Sequence, residues 1–134
     1  MINGSAGVCA GFAYLPVPGG VAMWTAETRQ GALVGHVRGR IDEMHWEAFA
    51  EALKGAVGAA RAGNLGKLVV DLSGVDYMSS RGLRALTLGK READAAGLAM
   101  VLAAPNALIR EILAISRYDK IFAVADTVDA ALES

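Results

Sequence analysis

Few side chains in this sequence have the type and spacing to do chemistry. His36 and His45 are the only histidines and Cys9 the only cysteine. Neither histidine has a His or Cys neighbour at metal-ligand spacing, so each is read as a surface or hydrogen-bonded structural residue. A single thiol excludes a disulfide within one chain and a cysteine-rich metal site. No Gly-Lys-Ser/Thr and no Gly-x-Gly-x-x-Gly is present to cradle phosphates. Carboxylates are scattered through loops and helix faces instead of being paired for acid–base work. No catalytic residue, metal or cofactor is therefore expected. The run that stands out is Val75-Asp76-Tyr77-Met78-Ser79-Ser80-Arg81-Gly82-Leu83. It follows an apolar segment and leads into a helical one, which places it at the carboxyl end of a strand, where open α/β sheets hold ligands and partners. Ser80 stands where an N-cap belongs, and a cap by Ser79 or Ser80 is worth about 1 kcal/mol.

The surrounding elements must position that run. Met23 to Arg29 and Ala32 to Arg38 read as strands, joined at Gln30-Gly31 in a hairpin. Asp42 has the chemistry of a helix N-cap, with Glu43 beside it at the positive end of the helix dipole. Trp46, Phe49, Ala50, Leu53 and Val57 then recur at helical spacing as a stripe that packs on a sheet, and Gly63-Asn64 ends the helix. Lys67 to Leu72 is almost purely apolar, as strands buried on both faces are. A second helix starts near Ser80 with Leu83, Leu86, Lys90 and Ala93. Leu98 to Ala103 is a further apolar strand, halted by Pro105. A third helix carries Leu108, Ile109, Ile112 and Leu113, followed by a strand over Lys120 to Val124 and a closing helix from about Thr127. Alternation of strands and helices predicts an α/β fold: a mixed, mostly parallel sheet with an N-terminal antiparallel edge strand, covered by about four helices.

Composition supports one globular domain. The 134 residues are 54% hydrophobic, 20% charged and only 6% aromatic, a balance opposite to that of disordered chains. Thirteen basic against fourteen acidic side chains leave a net charge of −1, with no basic excess to draw in nucleic acid or an anionic membrane surface. No stretch is long and apolar enough to span a bilayer, so no direct membrane insertion is expected. Residues 1–22 are apolar and Gly-rich, lack Lys and Arg, and are broken by Pro16, Pro18, Gly19 and Gly20. They read as a flexible extension and not as a secretory signal. A cytoplasmic location is expected.

The stretch Val70-Asp71-Leu72-Ser73-Gly74-Val75-Asp76-Tyr77-Met78-Ser79-Ser80-Arg81-Gly82-Leu83 resembles the STAS family, in particular the bacterial anti-sigma-factor antagonists. Arg38-Gly39-Arg40-Ile41-Asp42 is similar to that family's turn into the first helix. Ile115 to Phe122 is similar to the approach to its last strand, and Thr127 to Leu132 to its closing helix. The likeness runs from about Thr25 to the C-terminus and implies a STAS domain over residues 23–134. It also implies a non-enzymatic binding switch in which a partner kinase phosphorylates Ser80, with Ser79 the second choice. Ser79 stands where well-studied members carry Asp, and Arg81 where they often carry a second Ser or Thr. The implied partner surface comprises Asp42, Met78, Ser79, Ser80, Arg81, Gly82 and Arg84. The implied partners are an anti-sigma factor that is also a serine-protein kinase, and a PP2C-type phosphatase. The same resemblance allows an alternative, a non-phosphorylated adaptor subunit of a membrane transport system for lipids or anions.

Overall fold

A strand that is apolar at every position needs cover on both faces. In the computed structural model, which describes residues 13–16 and 23–133, that condition is met by a six-stranded sheet with helices on each side. The strands are β1 (Ala13–Pro16), β2 (Met23–Arg29), β3 (Ala32–Ile41), β4 (Lys67–Met78), β5 (Ala99–Ala103) and β6 (Ala123–Ala125). They lie side by side in chain order, with β1–β2 and β2–β3 antiparallel and the later pairs parallel. Helices α1 (Trp46–Ala62), α2 (Ser80–Ala95) and α3 (Ala107–Ile115) connect the parallel strands, and α4 (Val128–Glu133) closes the chain. The mixed sheet and its four helices match the predicted architecture. One strand was not foreseen: β1 pairs outside β2, so the predicted edge strand lies one place in. The rest of the extension expected over residues 1–22 lies outside the described residues.

The β2–β3 hairpin closes as its sequence predicts. Gln30 and Gly31 both have positive φ, 50° and 77°, as a two-residue turn matched to strand twist requires.

Alternation along β4 divides the core. Leu68, Val70 and Leu72 point to one side and pack with Leu33, Val37 and Leu102, under Phe49, Leu53 and Val57 of α1, Leu83 and Leu86 of α2, and Ile109 and Leu113 of α3. Val69 points the other way, toward Ala32, Val34, Val101 and Ala103 beneath Ala131 of α4. Each fully buried Leu, Val or Phe contributes about 1.5–3 kcal/mol. The helical stripe read from the sequence packs as expected, with Trp46 and Ala50 at its partly buried margin.

Besides the end of β3, which runs to Ile41 and not to Arg38, three boundaries differ from the sequence reading. Ser73-Gly74 looks like the end of a strand, yet β4 continues to Met78 because its pairing with β3 slips twice, between His36 and Arg38 and between Gly39 and Arg40. These bulges absorb extra residues in β4, so Leu72, Val75 and Met78 all enter the same core despite their wider spacing. The strand expected over Lys120–Val124 starts later than predicted: Lys120 closes a 3-10 turn at Tyr118–Lys120, and β6 runs from Ala123 to Ala125. The turn brings Phe122 into the core, stacked on Tyr118 with ring centroids 6.0 Å apart. The third boundary, the start of α1, belongs to the site below.

His36 has the structural role expected of it. Its Nδ1 lies 2.6 Å from Asp71 Oδ2 on β4 and its Nε2 lies 2.6 Å from Glu27 Oε2 on β2. Each ring nitrogen thus faces a carboxylate oxygen, an arrangement that favours the doubly protonated, cationic imidazole, in which both nitrogens donate. Burial, the largest influence, pulls its pKa down, but the hydrogen bonds to Asp71 and Glu27 and their charges outweigh it and raise the value above 6.5. A raised folded-state pKa gives stability that is complete below the unfolded value of 6.5 and is lost as pH rises through the folded value. Urea-unfolding midpoints measured from about pH 6 upward are expected to fall more steeply for the wild type than for His36→Gln. Parallel pH profiles for the two proteins would contradict this linkage.

Candidate functional site

The site is assembled where β3 and β4 end together. Ile41 and Met78, the last residues of the two strands, are register partners, and the Ser79 N–H donates to the Ile41 carbonyl at 2.8 Å. The turn that follows Ile41 and the helix that follows Met78 therefore start side by side. Gly82, in the first turn of α2, makes that approach possible. A Cβ there would sit 2.7 Å from Met78 Cγ, 2.8 Å from Ile41 Cγ2 and 3.1 Å from the Ile41 carbonyl oxygen, closer than side chains tolerate.

The two serines divide the work. Ser79 is extended (φ −80°, ψ 173°) and its Oγ accepts the Gly82 N–H at 3.2 Å, so Ser79 is the N-cap of α2. It is only 8% exposed. Ser80 is the first residue of the helix and is exposed, and its hydroxyl has no hydrogen-bond partner among the described residues. The expectation that Ser80 occupies the cap position is thus corrected: the β3 carbonyl holds Ser79, and not Ser80, at the extended position that a cap needs.

Asp42 does not cap α1 directly. The helix begins at Trp46, with His45 at the N-cap position and no side-chain cap bond. Asp42 instead organises the preceding turn. Its carbonyl accepts from the N–H groups of His45 (3.1 Å) and Trp46 (3.0 Å), and its Oδ1 accepts from the Met44 N–H (3.1 Å) and His45 Nδ1 (2.6 Å). Partial burial, the largest single influence, would raise the Asp42 pKa. The Met44 N–H, His45 and the Arg40 guanidinium (Nε 3.8 Å from Oδ2) together outweigh it and lower the value. The carboxylate is therefore charged at neutral pH. The other ring nitrogen of His45, Nε2, is buried with no hydrogen-bond partner.

Arg81 links the two loops. Its Nε is 3.0 Å from Glu43 Oε2, and its guanidinium lies 5.7 Å from the centre of the Trp46 ring. Trp46, Ser80, Arg81, Arg84 and Tyr118 line a pocket of about 590 Å³, so Ser80 opens onto a surface that is part aromatic and part cationic. Tyr118 is fixed there by Thr87 Oγ1, which donates to its hydroxyl at 3.1 Å. Of the residues expected at the partner surface, Ser80, Arg81 and Arg84 are exposed and Asp42 is half-buried. Met78, Ser79 and Gly82 are buried and support the others from beneath. Sequence reasoning missed Trp46 and Tyr118 as pocket walls. Trp46 was read only as the first member of a core stripe, and its place at the exposed end of that stripe was the available signal.

The STAS domain matches residues 23–131. This chain belongs to the STAS family. A solved structure similar to it is an anti-sigma factor antagonist from Mycobacterium paratuberculosis, 28% identical, with a TM-score of 0.70 over 88% of this chain and 97% of that one. Two more distant structures share the fold. One is the phosphorylated form of the Bacillus cell fate determinant SpoIIAA (17% identity, TM-score 0.60, 82% and 96% of the two chains). The other is a sulfate transporter family protein from Wolinella succinogenes (16%, 0.67, 79% and 85%). Within this STAS domain, no helix among the described residues is long and apolar enough to cross a membrane. Nor do the described residues hold a group of three or more His, Cys, Asp or Glu side chains placed to bind a metal ion.

The division of labour between the serines gives a direct expectation. Ser79→Ala removes the cap and should lower unfolding free energy by about 1 kcal/mol, whereas Ser80→Ala should change it by less than about 0.5 kcal/mol. Equal costs in chemical denaturation would contradict the assignment. Gly82→Ala should cost about 1–3 kcal/mol through overpacking against Ile41 and Met78, read as a lower melting temperature.

Proposed function

We propose that this STAS domain is an anti-sigma-factor antagonist whose grip on an anti-sigma factor with serine-kinase activity is set by the phosphorylation state of Ser80. The observation that carries the reading is the exposed, unbonded Ser80 hydroxyl beside a structurally committed Ser79. A kinase can modify Ser80 without dismantling the helix cap, whereas modifying Ser79 would break it. In the transfer, Ser80 Oγ bonds to the γ-phosphorus of ATP, the bond from that phosphorus to the bridging oxygen breaks, ADP leaves, and the hydroxyl proton passes to base or solvent. A PP2C-type phosphatase reverses the state by hydrolysis, returning the hydroxyl and releasing inorganic phosphate. The 28% identity to an anti-sigma factor antagonist supports the same reading.

The physics of the switch follows from where the charge lands. Phosphate adds about −1.5 to −2 charges and three acceptor oxygens. At the start of α2 it meets the positive end of a helix dipole, which favours an anion, so the fold persists. The cost falls on the complex. The surface that unphosphorylated Ser80 shares with Arg81 and Arg84 would have to bury a dianion, and Glu43, paired with Arg81, places negative charge on the adjoining turn. A penalty of about 2–5 kcal/mol corresponds to roughly 30- to 4,000-fold weaker binding. Nothing in the geometry favours the transport-adaptor alternative specifically, since the likeness to the Wolinella protein is one of fold.

Incubation with the cognate kinase and ATP, followed by mass spectrometry, should find one phosphate on the peptide containing Ser80 and none in Ser80→Ala. Ser80→Asp should weaken the complex at least tenfold in calorimetry. No modified serine with a partner that binds, together with unchanged affinity for Ser80→Asp, would contradict the proposal.

A further inference from the structure

We propose that phosphorylated Ser80 is clamped within its own helix by Arg84, so that modification both adds charge and withdraws this guanidinium from the partner. The inference rests on the reading of Ser80 as the phosphoacceptor and concerns what the phosphate does once in place. Ser80 and Arg84 are four residues apart on α2, and both line the pocket under Trp46 and Tyr118. Side chains on a helix tilt toward its N-terminus, so a long side chain at the later position lies back over the earlier one. The Arg84 side chain is exposed and has neither an ion pair nor a hydrogen bond among the described residues.

The other arginine of the pocket is a poorer candidate. Arg81 is already paired with Glu43 at 3.0 Å and lies against the Trp46 ring. It is also adjacent to Ser80 in sequence, and adjacent positions on a helix do not face each other. The carboxylates nearest the site have their own partners, Glu43 in Arg81 and Asp42 in the Met44 N–H and His45. A phosphate on Ser80 would thus find one uncommitted guanidinium within helical reach. The planar fork of that group suits two phosphate oxygens at once. Before modification, Arg84 stands open on the surface beside Ser80, available to an acidic group of the partner. The clamp would take it away at the moment the dianion appears.

The test uses the full chain with phosphoserine installed at position 80 during translation, so it does not depend on a kinase. In a ³¹P NMR titration, the phosphate of the wild-type background should titrate about 0.3 pH unit or more below that of Arg84→Gln. Arg84→Lys should recover part of the difference, and Arg81→Gln should leave most of it. The Arg84 Nε–H resonance should also move on phosphorylation. Equal titration of the wild-type and Arg84→Gln phosphoproteins, or a difference that follows Arg81 instead, would overturn the clamp. Failure of the kinase to modify Ser80 would count against the proposed function and leave this readout standing on its own.

Discussion

The site depends on one backbone register. Ile41 and Met78 finish β3 and β4 opposite each other, and the bond from the Ser79 N–H to the Ile41 carbonyl carries that alignment into the next element. Everything near Ser80 follows from it. Asp42 and Glu43 come next after Ile41, and Ser80, Arg81 and Arg84 come shortly after Met78. Two segments remote in sequence therefore form one surface, with the Arg81–Glu43 pair bridging them. The register is itself the product of the two bulges in β4. Without them, β4 would end its pairing out of step with β3, and Met78 would lose its place in the core.

Packing and polarity are separated around this point. The groups that fix geometry are buried: Met78 and Ile41 in the core, Gly82 pressed against both, and Ser79 closing the first turn of α2. The groups with unspent bonding capacity are outside: the Ser80 hydroxyl and the Arg84 guanidinium, in the pocket that Trp46 also lines. A modifiable side chain on a rigid frame can change its charge while the frame stays still. The other large polar cluster, His36 between Glu27 and Asp71, ties β2, β3 and β4 together and contributes to stability. Its involvement with two carboxylates explains why a histidine in a strand serves the sheet here.

Much of this was legible in the residues. The apolar runs of β4 and β5, the helical stripe of α1 and the Gln30-Gly31 turn each follow from local pattern, and the order of elements follows from their alternation. Other features depended on contacts that local pattern does not carry. Ser73-Gly74 has the composition of a strand end, and only pairing with β3 shows that the chain bulges and continues. Asp42 has the chemistry of a cap, but its bonds to Met44 and His45 turn it into the anchor of a turn that delays α1 until Trp46. Spacing put Ser80 at the cap, and the Ile41 carbonyl, by holding the Ser79 N–H, gives that role to Ser79. Tyr118 enters the pocket through the 3-10 turn before β6, a turn that the sequence reading did not foresee. For the β4 bulges and the two serines, the deciding interaction comes from β3, a segment distant in the chain.

The central claim is that the turn after Ile41 and the start of α2 act as one binding surface. The most direct measurement is amide chemical-shift mapping of the ¹⁵N-labelled protein on addition of the proposed partner, an anti-sigma factor. Perturbations should gather on residues 42–46 and 79–84 and around Tyr118, and spare the sheet side that carries His36 and α4. Perturbations centred on that opposite side, with residues 79–84 unmoved, would contradict it.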